Sequence, residues 1–273
     1  MNTVTEPLLA WSDPSLSLPA LHFPAVQAKV SPTEWAVRVE LAAAYRLAAQ
    51  FRWTDHIYTH FSARVPGSDE HFLINAYGLT FEEITASNLV KVDIDGEILR
   101  DDTGLGINPA GYVIHSAIHA ARHDVGCVLH THTAAGIGVS AQRDGLLMIS
   151  QHAMRFFERV AYHDYEGIAI DLDERSRLVA DLGERDIFIL RNHGLLTCAP
   201  TIAQAFQELH MLERACVAQL AAQSGGAPLV IAPDAVARKV AELVVSNAGG
   251  PVTRKHWAAL LRQLDRSDPS YRQ

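Results

Sequence analysis

His130 and His132 stand at i and i+2 of an apolar run, Gly126–Thr133, that reads as a buried strand. Residues so spaced leave a strand on the same side, about 7 Å apart along the chain, where two imidazoles can share one metal ion. Taken alone, such a pair is equally two partly buried rings with hydrogen-bond partners. A second segment tips the balance. Ile187-Phe188-Ile189-Leu190-Arg191 is another buried-strand pattern, and it runs into Asn192-His193-Gly194. His193 therefore sits at a strand end beside a glycine turn, free of crowding. Three nitrogens from two strands, with a position left open, make a catalytic kind of metal site. Upstream, His115, His119 and Arg122 share one face of an expected helix beginning near Gly111. His115-Ser116-Ala117-Ile118-His119 also has the spacing of two zinc ligands of a metalloprotease. Ser116 stands where the general-base glutamate would be needed, which excludes that chemistry.

The surrounding chain must place these residues. Ser31-Pro32-Thr33-Glu34 has an N-cap, a proline at the first helical position and a glutamate to close a capping box, so a helix is expected to about Phe51. Strands are expected from near Ile57 to Val65, at Phe72–Ala76, Val90–Ile94, Gly145–Ile149, Val160–His163 and Gly167–Ile170. A short helix should start at Thr85–Asn88, and residues 98–110 should form a loop. Further helices are expected at Ala134–Ala141, from an Asp171/Glu174 cap to Gly183, and from Thr201 to about Gln223. Gln151–Phe157 reads as a helical turn. Two last helices, about Asp234–Ser246 and Val252–Leu264, carry no chemical signature. Tight turns between strands favour a mixed, largely antiparallel sheet between helical layers. Residues 1–30, with Pro7, Pro14, Pro19 and Pro24, read as a tail in which Trp11, Leu21 and Phe23 could dock. Residues 31–225 then form the main domain and 226–273 a helical extension.

Composition narrows the partners. The 273 residues are 48% hydrophobic and carry a net charge of −8, enough apolar content for a large core and the wrong sign for nucleic acid or an anionic membrane. Cys127, Cys198 and Cys216 are odd in number and lie in apolar segments, as reduced core residues of a cytoplasmic protein do. No apolar run has the length of a membrane span, and no signal-peptide pattern opens the chain.

Arg122-His123-Asp124-Val125, Leu129-His130-Thr131-His132-Thr133 and Arg191-Asn192-His193-Gly194-Leu195, in this order over residues 31–225, resemble the class II aldolase/adducin family, which includes L-fuculose-phosphate aldolase and ribulose-phosphate 4-epimerase. Pro109–His119 looks closer to its adducin-like bacterial branch. The resemblance implies a three-layer α/β/α sandwich assembled as a homotetramer, with active sites between subunits. It also implies a divalent metal, Zn2+ first and Fe2+ or Mn2+ as alternatives, on His130, His132 and His193. That metal would chelate a small hydroxy-carbonyl substrate and stabilise an enediolate.

Three departures bear on chemistry. Gly111 replaces the glutamate that family aldolases use at the metal and for proton transfer. Pro109 and Ala110 replace hydroxylated phosphate-binding residues, and Thr59-His60 replaces a Gly-Asn pair that helps bind phosphate. His115 is expected to face the metal as a further ligand or through one water; the competing role is a purely structural hydrogen bond to groups that surround the metal ligands. His115, His152 and Tyr165 are the candidate acids or bases. His56, His60 and His71 are expected at the surface or hydrogen-bonded, and His210 packed or at the surface. The resulting reading is a metal-dependent aldolase-type lyase. The alternatives are an iron-dependent decarboxylase or oxygenase on the same scaffold and a non-enzymatic, adducin-like assembly protein.

Overall fold

The computed structural model describes residues 21–167 and 173–273. Eight strands form one sheet: β1 (Phe61–Arg64), β2 (His71–Ile74), β3 (Val90–Asp93), β4 (Ile98–Arg100), β5 (Cys127–Thr131), β6 (Val160–His163), β7 (Ile187–Leu190) and β8 (Gly194–Ala199). Their order is β4-β3-β2-β1-β5-β8-β7-β6. Every pairing is antiparallel except that of β6 with β7. The mixed, largely antiparallel sheet expected from the tight turns is therefore the one that forms.

Period-two burial sets the layers. Along β7, Ile187 and Ile189 enter a core with Leu41, Tyr45, Phe206 and Trp257, whereas Phe188 and Leu190 enter a second core with Ile114, Ile118 and Leu178. The first core lies under α2 (Pro32–Gln50), α7 (Ile202–Gln223) and α9 (Pro251–Ser267). The second lies under α3 (Pro109–Ala121) and α6 (Glu174–Leu182). Along β5, Cys127 and Leu129 face the first core and Val128 the second. His130 follows Val128 by two residues and so leaves the sheet on the α3 side.

Several helices form where they are expected, α4 (Ala134–Ser140) among them, and several boundaries follow their expected caps. Ser31 accepts from the Glu34 backbone N–H, with Pro32 at the first helical position. The Glu34 carboxylate does not close the capping box; it binds Arg38 and Lys91 instead. Thr201 accepts from the Gln204 N–H and opens α7. The helix α8 (Asp234–Ser246) has the expected bounds, and α9 is longer at both ends than expected.

The structure departs from the sequence reading in several places. The strand expected from Ile57 is confined to Phe61–Arg64, because His56 and Thr59 have positive φ (51° and 68°), which no strand accepts. Residues 98–110 contain β4, and Gly145–Ile149 forms no strand. The helical turn near Thr85 is instead a 3-10 turn at Phe81–Glu83, fixed by a Thr80/Glu83 capping box. The segment after His193 continues as β8, which pairs with both β5 and β7. A short helix, α1 (Ala25–Lys29), stands in the expected tail, and Leu21 and Phe23 are anchored to Thr85, Ser87 and Asn88. The expected strand Gly167–Ile170 and the Asp171 cap fall almost wholly outside the described residues.

Candidate metal centre

β5 carries His130 and leads directly to His132; the β7–β8 loop carries His193. The register Leu190↔Gly194 leaves three residues to turn the chain, and Asn192 makes the turn with φ 56°. The asparagine side chain tolerates this left-handed conformation better than most residues. Gly194 is required for a different reason. A Cβ there would stand 2.3 Å from the Thr131 carbonyl oxygen and 3.2–3.3 Å from the His132 and His130 rings. Only glycine lets β8 approach β5 so closely at this point.

The three rings form a nearly equilateral group, with centroids 4.7, 4.8 and 4.8 Å apart. One nitrogen from each lies within 4.8 Å of the other two. Outer partners fix which nitrogens face inward. His130 Nδ1 donates to the Leu195 carbonyl at 2.9 Å, and His132 Nδ1 lies 3.0 Å from the Asp55 carboxylate, which can only accept when ionised. In the neutral rings this leaves His130 Nε2 and His132 Nε2 as lone pairs 2.9 Å apart, an arrangement that a cation between them stabilises. Burial and the adjacent imidazoles hold His130 well below its ordinary pKa and bring His193 down to about 4, so both are neutral donors at pH 7. The donor set, one imidazole nitrogen from each of His130, His132 and His193, thus fits a divalent ion.

The opposite face of the same strand is clamped. Thr131 and Thr133 each donate to one oxygen of Glu213 on α7, both at 2.7 Å. Burial raises the Glu213 carboxyl above its ordinary range, against the two hydroxyls that donate to it.

A pocket of about 420 Å3 opens over the histidines. Its wall includes Tyr58, Thr59, His60, Tyr77, Asn108 and Tyr165 and, among the described residues, no lysine or arginine. Of the expected acids and bases, Tyr165 belongs to this wall, with its ring centroid 6.0 Å from that of His193. His115 does not. It is fully buried, its Nδ1 lies 2.6 Å from Ser62 Oγ, and that hydroxyl also binds His119 Nε2 at 2.8 Å. The group of converging nitrogens does not include His115: one face of α3 carries His115 and His119, β1 covers it, and Ser62 engages both rings, while His115 Nε2 keeps no partner. His152 lies on α5 (Gln151–Met154) and lines neither the pocket nor the histidine group. Arg122 is used structurally, binding Asp124 and the carbonyls of Gly183 and Arg185.

His60 and Asp55 were missed by the sequence reading. Expected at the surface or hydrogen-bonded, His60 is 4% exposed, and its Nε2 has no partner. Its ring lies over Gly111, where a Cβ would come within 2.3 Å of Nδ1. Burial and the neighbouring His132 bring this imidazole down to about pKa 3. The signal available in sequence was weak: Asp55 and His60 bracket a short segment, too brief for either to announce a partner 70 or more residues away.

The sheet and its histidine group define a class II aldolase architecture. An L-fuculose 1-phosphate aldolase from Glaciozyma antarctica PI12 superposes with a TM-score of 0.77 at 25% identity, covering 92% of this chain and 96% of that one. An aldolase II superfamily protein from Pseudomonas syringae superposes with a TM-score of 0.88 at 66% identity, covering 91% and 100%. The family model "Class II Aldolase and Adducin N-terminal domain" matches residues 39–220, and the chain belongs to that family. A Pseudomonas aeruginosa relative named "Putative aldolase class 2 protein" is 53% identical over 91% of this chain and 96% of its own length. Alpha-adducin of Rattus norvegicus is 42% identical over 84% of this chain, which corresponds to 33% of that longer protein.

Proposed function

We propose that the chain is a metal-dependent lyase acting on a small hydroxy-carbonyl compound that carries no phosphate. The convergence of His130, His132 and His193 supports this reading. A divalent ion held there would supply an electrophile that chelates a carbonyl and an adjacent hydroxyl and stabilises negative charge as a neighbouring bond to carbon breaks. His130 and His132 are held for this work by Leu195 and Asp55, which fix the tautomers. Among the described residues the pocket wall supplies no lysine or arginine to neutralise a phosphate, and Pro109 and Ala110 offer it no side-chain donors. Tyr165 is the candidate acid or base that the pocket retains; its ring is half exposed and adjacent to His193.

Zn2+ is the ion proposed, with Fe2+ or Mn2+ as alternatives for the same nitrogen donors. Elemental analysis after purification without chelator and reconstitution should give about one divalent ion per chain. Alanine at His130, His132 or His193 should abolish its retention. Native protein that binds no ion under those conditions would remove the lyase reading and leave the non-enzymatic one favoured by the likeness to alpha-adducin. Tyr165→Phe should keep the metal and lose turnover once a substrate is found; full turnover would clear Tyr165 of proton transfer. In a binding screen, unphosphorylated hydroxy-carbonyl compounds should be preferred over sugar phosphates.

A further inference from the structure

Thr59 and His60 are adjacent, nearly inaccessible and incompletely bonded. Thr59 is 1% exposed and leaves Oγ1 without a partner; His60 is 4% exposed and leaves Nε2 without one. Other buried polar atoms also lack partners, His115 Nε2 beside the His60 ring among them, but these two stand in succession beside an open pocket, where a ligand can complete the hydrogen bonding. Both residues line the pocket that contains His130, His132 and His193.

The backbone is committed to presenting them. Thr59 is β-branched yet has φ 68°, in the left-handed region that such residues avoid and that recurs at ligand-binding sites. Immediately after it, the chain is locked: the His60 carbonyl accepts from the His130 N–H at 3.1 Å, and the Phe61 N–H donates to Tyr45 Oη at 2.8 Å. The His60 ring is confined between Gly111 and His115, whose ring it meets edge-on with centroids 6.2 Å apart.

We propose that Thr59 Oγ1 and His60 Nε2 together hold a substrate hydroxyl beside the metal, making them substrate-positioning residues. A threonine hydroxyl can donate and accept, and an imidazole nitrogen does either according to tautomer. A hydroxyl of the ligand can therefore donate to one member of the pair and accept from the other. A phosphate, which chiefly accepts and carries charge, gains less from this pair, and no lysine or arginine among the described pocket residues assists it. The inference rests on the metal-site reading above and extends it to the substrate: a polyhydroxylated carbonyl compound with one hydroxyl beyond the two chelating oxygens.

The test uses full-length protein loaded with Co2+, whose visible bands report ligand binding without turnover. Dihydroxyacetone can chelate through its carbonyl and one hydroxyl and offer the second hydroxyl to the pair; hydroxyacetone lacks that second group. Native protein should bind dihydroxyacetone about tenfold or more tightly than hydroxyacetone, the difference expected when a site built for a hydroxyl is left unpaired. Thr59→Val and His60→Phe should each retain one Co2+ per chain and bind the two ketones alike. Equal binding by native protein, or discrimination that survives in both variants, would overturn the proposal. A His60→Phe protein that fails to fold leaves Thr59→Val to decide. Native protein that takes up no Co2+ would instead show that the metal-site reading itself has failed, and the proposal with it.

Discussion

Gly111 leaves the room in which a neighbouring imidazole sits. The space that a side chain would fill there holds the His60 ring. Gly111→Ala should therefore force the ring to shift and cost about 1–3 kcal/mol of stability by overpacking, read from chemical denaturation. An unchanged midpoint would mean that the ring moves freely. Asp55 would act one bond sphere away from a metal held by the three histidines, through its contact with His132 Nδ1. Removing its carboxylate in Asp55→Ala frees the His132 ring to change tautomer and rotate. Metal affinity should weaken about 10–100-fold, the usual loss for an outer partner of a ligating histidine. Competition with a chromophoric chelator would measure it, and an affinity within twofold of native would contradict the role given to Asp55.

At the scale of elements, β5 and its continuation serve two purposes through strand alternation. The side chains of residues 130 and 132 face the three-histidine group, and those of 131 and 133 meet Glu213 on α7. The buried carboxyl thereby fixes the back of the strand that presents the histidines. Glu213→Ala would leave two threonine hydroxyls without their acceptor. It should lower stability by about 1–3 kcal/mol and weaken metal retention together, as thermal unfolding with and without metal would show. Loss of stability with metal affinity unchanged would separate the clamp from the site. The β1 element is governed similarly from α2. Tyr45 is fully buried, and its Oη accepts from both the Phe61 and Asn75 N–H groups.

Across the whole molecule, the C-terminal segments are integral to the larger core. Trp257, Leu260, Leu264 and Tyr271 are buried in it, and the Tyr271 carbonyl accepts from the Ala86 N–H. We propose that residues 226–273 complete the main domain. A chain ending at 225 should then be insoluble or unfolded by circular dichroism; a folded, monodisperse fragment would make them a separable extension. We propose that the exposed Val236, Leu243 and Val245 on α8 are covered in the homotetramer that the family resemblance implies, for which light scattering should give four times the chain mass. Acid stability depends on a buried group linking α2 to the sheet: Glu34 with Arg38 and Lys91, at 3.0 Å each. Burial alone would raise the Glu34 carboxyl, but Lys91 and Arg38 outweigh it and hold the pKa below the ordinary 4.5. A depressed folded-state value means stability that is complete above 4.5 and lost as pH falls through the lower folded value. Glu34→Gln should cost about 3 kcal/mol at pH 7 by leaving Arg38 buried and less well paired. Its deficit should shrink in acid; a deficit independent of pH would refute the linkage.

The sequence by itself determined most helices, the family and the three histidines. Caps and breakers act over three or four residues, and His-x-His followed by Asn-His-Gly is legible wherever strands alternate. β8 escaped because a six-residue buried strand, Gly194–Ala199, begins in what reads as a glycine turn. The irregular course of residues 55–60 escaped because β-branched and aromatic residues favour a strand there, and tertiary packing imposes positive φ on His56 and Thr59 instead. Only the tertiary structure decided which histidines meet. Helical spacing placed His115 and His119 on one face, but Ser62 of β1 engages both, from 53 and 57 positions away. His60, which has no periodic partner in the sequence, is brought over Gly111 by the β1–β5 pairing. Periodicity tells which residues share a face; what covers that face is set by contacts between elements distant along the chain.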